Sequence, residues 1–422
     1  MKSKKSGHSL FISFAITLMG MVLSQSGYAK KEDHSMHRKS TVPEICRSKN
    51  TIPTIQCAST TSSHFDKKGN LWVAWYHSGH VYVSRSNDKG KTFIPSVTVN
   101  RTPELVYAKG ENRPKLAFGN KGEIYVSWTQ KLTKKRFSGH IRFSRSIDGG
   151  KYFTDPITVN DHLEVTSHRF DSIAVNKKGD IYIAWLDKRD LLAAKRAGKK
   201  YNGSALYYAL STNNGKSFLK NKKIADTSCE CCRTAIAIDT DQLPTIVWRH
   251  IFGDNIRDHG IVKFSQRNKP GKMKRLSYDK WHIEGCPHHG PSISIADDGI
   301  YHTTWFNNAP DRHGLFYANS RDNGVSFSTP LNFGNYERAA GHADILSLGK
   351  NVYMVWKEFD GKQSRVYLKK SSDAGASWSN PKQLATTFFS SDHPFLTQNG
   401  TNVYLSWHRI GEPFKLIFIS KE

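Results

Sequence analysis

Acid is scarce in this chain. Its 422 residues carry 36 Asp and Glu against 62 Lys and Arg, a formal charge of +26 at pH 7. So basic a surface points to acidic partners. Beyond residue 29 no apolar run is long enough to span a bilayer, which excludes an integral membrane protein downstream of that point. No GxxxxGK[ST] run occurs and no GxGxxG opens a helix, so the usual phosphate-cradling loops are missing. Hydrophobic residues reach only 37%, yet aromatics make up 12% with ten Trp, too many for a disordered chain and enough for a large core. The length fits two to three ordinary domains or one large repeat unit.

The first residues read as an address. Lys2, Lys4 and Lys5 precede the apolar stretch Leu10 to Leu23, and Gly27-Tyr28-Ala29 offers small residues for cleavage after Ala29. A secretory signal over 1–29 is expected, then a flexible polar arm over 30–45, then a single domain over 46–422. His34, Met36 and His37 in the arm are soft-metal donors of the kind that catch copper. All six Cys lie after the signal, where an exported protein can oxidise them.

Repetition dominates the rest. Strand-like segments that alternate apolar and polar residues end on Trp75, Trp128, Trp185, Trp248, Trp305, Trp356 and Trp407, as in GNLWVAW, GEIYVSW and GDIYIAW. Each is followed by a second strand, a turn and a short third strand, and preceded by an apolar strand such as PKLAFG or PSISIA. Four strands per repeat of roughly 50 residues describe a propeller blade. The expected fold is all-β, a seven-bladed β-propeller, with six blades as the fallback. The seventh copy runs out after three strands, so Cys46 to Gln56 is expected to add the N-terminal strand that closes the ring.

The turn after the second strand carries S-x-D-x-G-x-[ST]-[FW]: SNDKGKTF (86–93), SRDNGVSF (320–327) and SSDAGASW (371–378), with looser copies SIDGGKYF (146–153) and STNNGKSF (211–218). The Asp accepts backbone N–H groups of its own turn, the Gly takes a positive φ, and the closing aromatic packs under the blade. In these motifs the chain, over residues 58–422, resembles the sialidase-like superfamily, whose repeated element is the Asp-box (BNR) motif. The resemblance implies a propeller whose active face lies opposite these turns. In sialidases it also implies three Arg that hold a substrate carboxylate, a Tyr nucleophile helped by Glu, and an Asp acid/base. Arg113, Arg233 and Arg409 could fill the triad, and Asp187 and Glu358 the acids. The F/Y-R-I-P element of that family is absent; the early chain reads TIPTIQCASTTSSHFD, with no Arg.

Counting back from each Trp aligns the loops that lead into the blades. Glu111, His168, Cys231 and His288 share one offset, Asn112, Arg169, Cys232 and His289 the next, and Arg113, Arg233 and Asp392 the one after; His342 and His393 follow. His250 and Arg409 come just after their Trp. One face should therefore gather a ligand site from Arg113, His168, Arg169, Arg233, His250, His342, His393 and Arg409. SCECCRTAIAID (228–239) and GCPHHGPSISIA (285–296) lie on this register in neighbouring blades. Two readings stand: disulfides Cys229–Cys286 and Cys46–Cys57, or a Cu or Zn site from Cys231, Cys232, His288 and His289. The insertion DKRDLLAAKRAGKKYNG (187–203) reads as a short basic helix over the same face.

These features lead to an exported propeller that binds an anionic glycan or other cell-envelope ligand, with exo-glycosidase chemistry if it is an enzyme. The alternatives are a periplasmic Cu/Zn-binding protein and a non-catalytic envelope scaffold. Nucleic acid is not an expected partner, and no membrane span remains after signal cleavage.

Overall fold

The computed structural model describes residues 43–48 and 51–421. The expected signal, most of the polar arm and the donors His34, Met36 and His37 lie outside the described residues. No helix among them is long and apolar enough to cross a membrane.

Seven antiparallel sheets follow one another along the chain, each a simple meander. Their first strands touch in cyclic order, from Thr61–Phe65 through Lys115–Phe118, His168–Val175, Ala235–Ile238, Ser292–Ile295 and Gly341–Leu348 to Phe395–Asn399 and back. This is a seven-bladed β-propeller. The seven repeat Trp are each at most 1% exposed. Each wedges against the preceding blade: Trp128 packs with Val81 and Val83, and Trp185 with Ile141 and Phe143. Burying one Trp removes on the order of 200 Å² from water, roughly 5 kcal/mol.

The repeated turns have the bonding their sequence implies. Asp88 Oδ1 accepts the Thr92 N–H at 2.9 Å, and Ser86 Oγ accepts the Gly90 N–H at 2.7 Å. The looser copy keeps this with Asn213 in place of Asp. The turn glycines also permit close approach: a Cβ on Gly375 would collide with Tyr317 Oη in the previous blade. The fourth blade, which lacks the motif, has only the two-residue strands Lys269–Pro270 and Lys274–Arg275 beyond its second hairpin strand.

One expectation about closure is corrected. Among the described residues Cys46 to Gln56 gives no strand; Glu44–Cys46 and Ile55–Cys57 are 3-10 turns. The Cys46–Cys57 disulfide brings their Cα atoms to 5.4 Å, whereas eleven extended residues would reach about 36 Å. A stapled loop cannot lie along a blade edge. Among the described residues the seventh blade keeps three strands, and the ring closes through side chains, including Ser406 Oγ to Ser63 Oγ at 2.9 Å.

Candidate functional site

The loops aligned by counting back from Trp do meet at the hub. Glu111, from the second blade, accepts the backbone N–H groups of Arg233 (2.9 Å) and Gly290 (3.0 Å) and an Arg233 guanidinium N–H at 3.1 Å. Burial alone would push its carboxyl up, but the Arg233 charge, His342 and the backbone donors outweigh that and hold it well below the usual carboxylate range. His342 and His393 each place Nδ1 3.5 Å from Glu111 Oε1, too long for a full hydrogen bond. Their rings stack at 3.5 Å, and His289 stacks on the far side of His342 at 4.3 Å. Burial lowers the pKa of all three and so disfavours their charged forms. Glu111, His342 and His393 lie close enough for a metal. However, an ion binds imidazole in the ring plane, and near-parallel stacked rings do not converge on one ion.

The expected arginines fare differently. Arg113 makes a buried fork to Asp392, 2.6 Å on each oxygen. Arg233 is spent on Glu111 and the Ala343 carbonyl. Arg409 pairs with Glu412 at 2.9 Å. The three residues available for a carboxylate-binding triad thus each hold a carboxylate of the protein itself. Arg169 does not. Its Nε donates to Ser167 Oγ, and its guanidinium lies 5.3 Å from the Tyr107 and Phe137 rings and 4.8 Å from Phe170. No carboxylate is within ion-pair reach among the described residues. Burial pushes its pKa down.

Tyr107 and Phe137 also wall a cleft of about 400 Å³ lined by Lys131, Lys135 and Arg136. Phe137 is 51% exposed and has φ +61°, a strained conformation for an aromatic residue and one that clusters at functional sites. These cleft residues were not singled out from the sequence. Their signal was the basic insertion KLTKKRFSG (131–139) between two strands, comparable to the one at 187–203. The latter forms the helix Arg189–Arg196 and borders a second basic cavity, of about 680 Å³, with Lys195, Lys199, Lys200 and Tyr201.

The two acids serve the scaffold. Asp187 accepts the Trp185 indole N–H and binds Arg189; Glu358 accepts the Trp356 indole N–H and the Asn335 backbone N–H. His168 bonds the Gly139 carbonyl beside Asp187, and His250 stacks edge-on against Phe252; burial pushes each down to about 4.

The cysteine readings are also sorted. Cys46 and Cys57 are bonded. Cys229 and Cys286 are free, so the expected bridge between them is absent. Cys229, Cys231 and Cys232 are buried with their sulfurs together, and Cys286 and His288 lie near Cys231. His289 is not in the cluster, because its ring is held in the hub stack between Phe306 and His342.

No family model and no curated protein matches the sequence. Solved structures do. An ulvan lyase of polysaccharide lyase family PL25 is 10% identical, with a TM-score of 0.54 over 94% of this chain and 95% of its own. The polysaccharide lyase Uly1 is 9% identical, with a TM-score of 0.51 over 92% and 94%. A Hadza microbial sialidase, Hz136, is 14% identical, with a TM-score of 0.49 over 83% and 73%. At such identities the likeness is one of fold alone, and the fold shared with the two lyases is the one described above.

Proposed function

We propose that this is an exported, secreted or periplasmic propeller that binds an anionic glycan in the cleft between Tyr107 and Phe137. Arg169 carries the proposal, as the expected face arginine with no carboxylate in ion-pair reach among the described residues. A uronate or sulfate on the sugar would supply the missing counter-ion, and a guanidinium fork suits two oxygens at once. The exposed Phe137 ring offers a stacking face for the sugar, while Lys131, Lys135 and Arg136 add positive potential around it. The ulvan lyase of the same fold has been solved with -[GlcA(1-4)Rha3S]- bound, and the residues of this cleft suit a sugar of that anionic kind.

Calorimetric titration with a uronic-acid oligosaccharide and its carboxyl-reduced counterpart tests this. The acidic sugar should bind and the reduced one should not, and Arg169→Ala should weaken binding at least tenfold. Equal affinity for the two sugars, or an unaffected Arg169→Ala variant, would refute it.

A further inference from the structure

Four of the six cysteines are unbonded, and they are gathered rather than scattered. The short turn Cys229-Glu230-Cys231-Cys232 folds so that Cys229 Sγ lies 3.9 Å from both Cys231 Sγ and Cys232 Sγ. Neither pair is favoured as a disulfide, which needs about 2.05 Å. Both distances match the edge of a thiolate tetrahedron: metal–sulfur bonds of about 2.3 Å put the sulfurs about 3.8 Å apart. The turn is anchored, since the Cys229 N–H donates to the Arg249 carbonyl at 2.9 Å. From the next blade, Cys286 and His288 come within 4.8 Å of Cys231. Both are exposed, whereas the three clustered thiols are buried against Phe170 and Leu206.

Charge supports the same reading. Thiolates in an apolar surround are costly unless compensated. Arg257 Nη1 lies 3.4 Å from Cys229 Sγ. Arg249, 1% exposed, gives its Nη atoms to the carbonyls of Arg257, His289 and Phe306. Among the described residues neither arginine pairs with a carboxylate. Half-buried Arg257 at the Cys229 sulfur, and buried Arg249, whose carbonyl holds the Cys229 N–H, are placed to offset thiolate charge once the site is loaded.

We infer that Cys229, Cys231 and Cys232 form the floor of a site for one soft, thiophilic cation, Cu(I) or Zn(II), with Cys286 closing it from the solvent side. Thiolates select these ions over hard ones. Loading releases the thiol protons to solvent and needs no redox change. Arg249 and Arg257 offset the negative charge of the loaded site, and His288 stands at its mouth.

The protein purified under reductant decides the matter in competition with a zinc-specific dye and, separately, with a Cu(I)-specific chelator. One equivalent per chain should be taken from one of the two probes, and that arm names the ion. Cys231→Ser should weaken binding at least a hundredfold. Because Cys231 is buried, Cys286→Ser serves as the second variant. It should lose about tenfold in affinity with an unchanged urea midpoint, and His288→Ala should lose less. After metal removal and denaturation four thiols should titrate. The inference is overturned if neither probe yields metal, if Cys286→Ser binds like the parent, or if two or fewer thiols titrate. Sugar titration of the metal-free protein keeps the two sites separate.

Discussion

Asp392 takes both Nη atoms of Arg113 at 2.6 Å and thereby ties the seventh blade to the second across the first. Its Oδ2 also accepts the Thr61 backbone N–H at 3.1 Å, so one carboxylate joins three blades where the ring closes. Removing one partner of a buried pair strands the other charge, at about 3–5 kcal/mol. Arg113→Ala should lower stability by that amount in urea unfolding followed by Trp fluorescence. The double variant Arg113→Leu/Asp392→Leu should cost far less. A fully stable Arg113→Ala that no longer binds glycan would instead return Arg113 to the ligand site.

Acid should unfold the protein through its buried imidazoles. His168, His250 and His302 are buried, and burial lowers each to about 4, against about 6.5 when unfolded. Between these values the unfolded chain binds protons that the folded chain refuses. Their contribution is therefore intact above about pH 6.5 and declines as pH falls towards 4, by up to roughly 3 kcal/mol per residue. Denaturant midpoints at pH 7.5, 6 and 5 should fall in that order. A flat profile would show that these rings take up protons in place.

The turn glycine of the sixth blade cannot grow. Gly375 has φ +84°, and an added Cβ would collide with Tyr317 Oη. Gly375→Ala should cost about 2–3 kcal/mol from backbone strain and overpacking together. Gly122→Ala, at φ +89° with no neighbour within 4 Å, should cost only the strain, about 1 kcal/mol. Equal losses in thermal unfolding would mean that the blade contact contributes nothing.

Phe137 separates stability from binding. Phe137→Gly relieves its positive φ, so the melting temperature should hold or rise while affinity for the acidic sugar drops at least fivefold. Raising salt from 50 to 500 mM should weaken binding by the parent more than by Arg169→Ala. Binding indifferent to both Phe137 and salt would place the sugar elsewhere.

The Asp-rich turns, the Trp strands and the helix Arg189–Arg196 were all legible, since neighbours in sequence make their geometry. The loop offsets also foretold that Glu111, Arg233, His342 and His393 share a hub. What they did not foretell was the partner each group takes there. His289 aligned with Cys232, yet its ring joined Phe306 and His342. Cys229 aligned with Cys286, yet its sulfur sits with Cys231 and Cys232.

Periodic apolar patterning and local turn chemistry specify a seven-bladed wheel because those interactions span a few residues. The availability of each arginine, by contrast, is fixed by carboxylates far along the chain. Arg113 meets Asp392 across 279 residues, and Arg233 meets Glu111 across 122. Neutralisation depends on angstrom-scale distances between loops that only the closed ring brings together, which is why Arg169 meets no carboxylate among the described residues yet looked like its neighbours in the sequence.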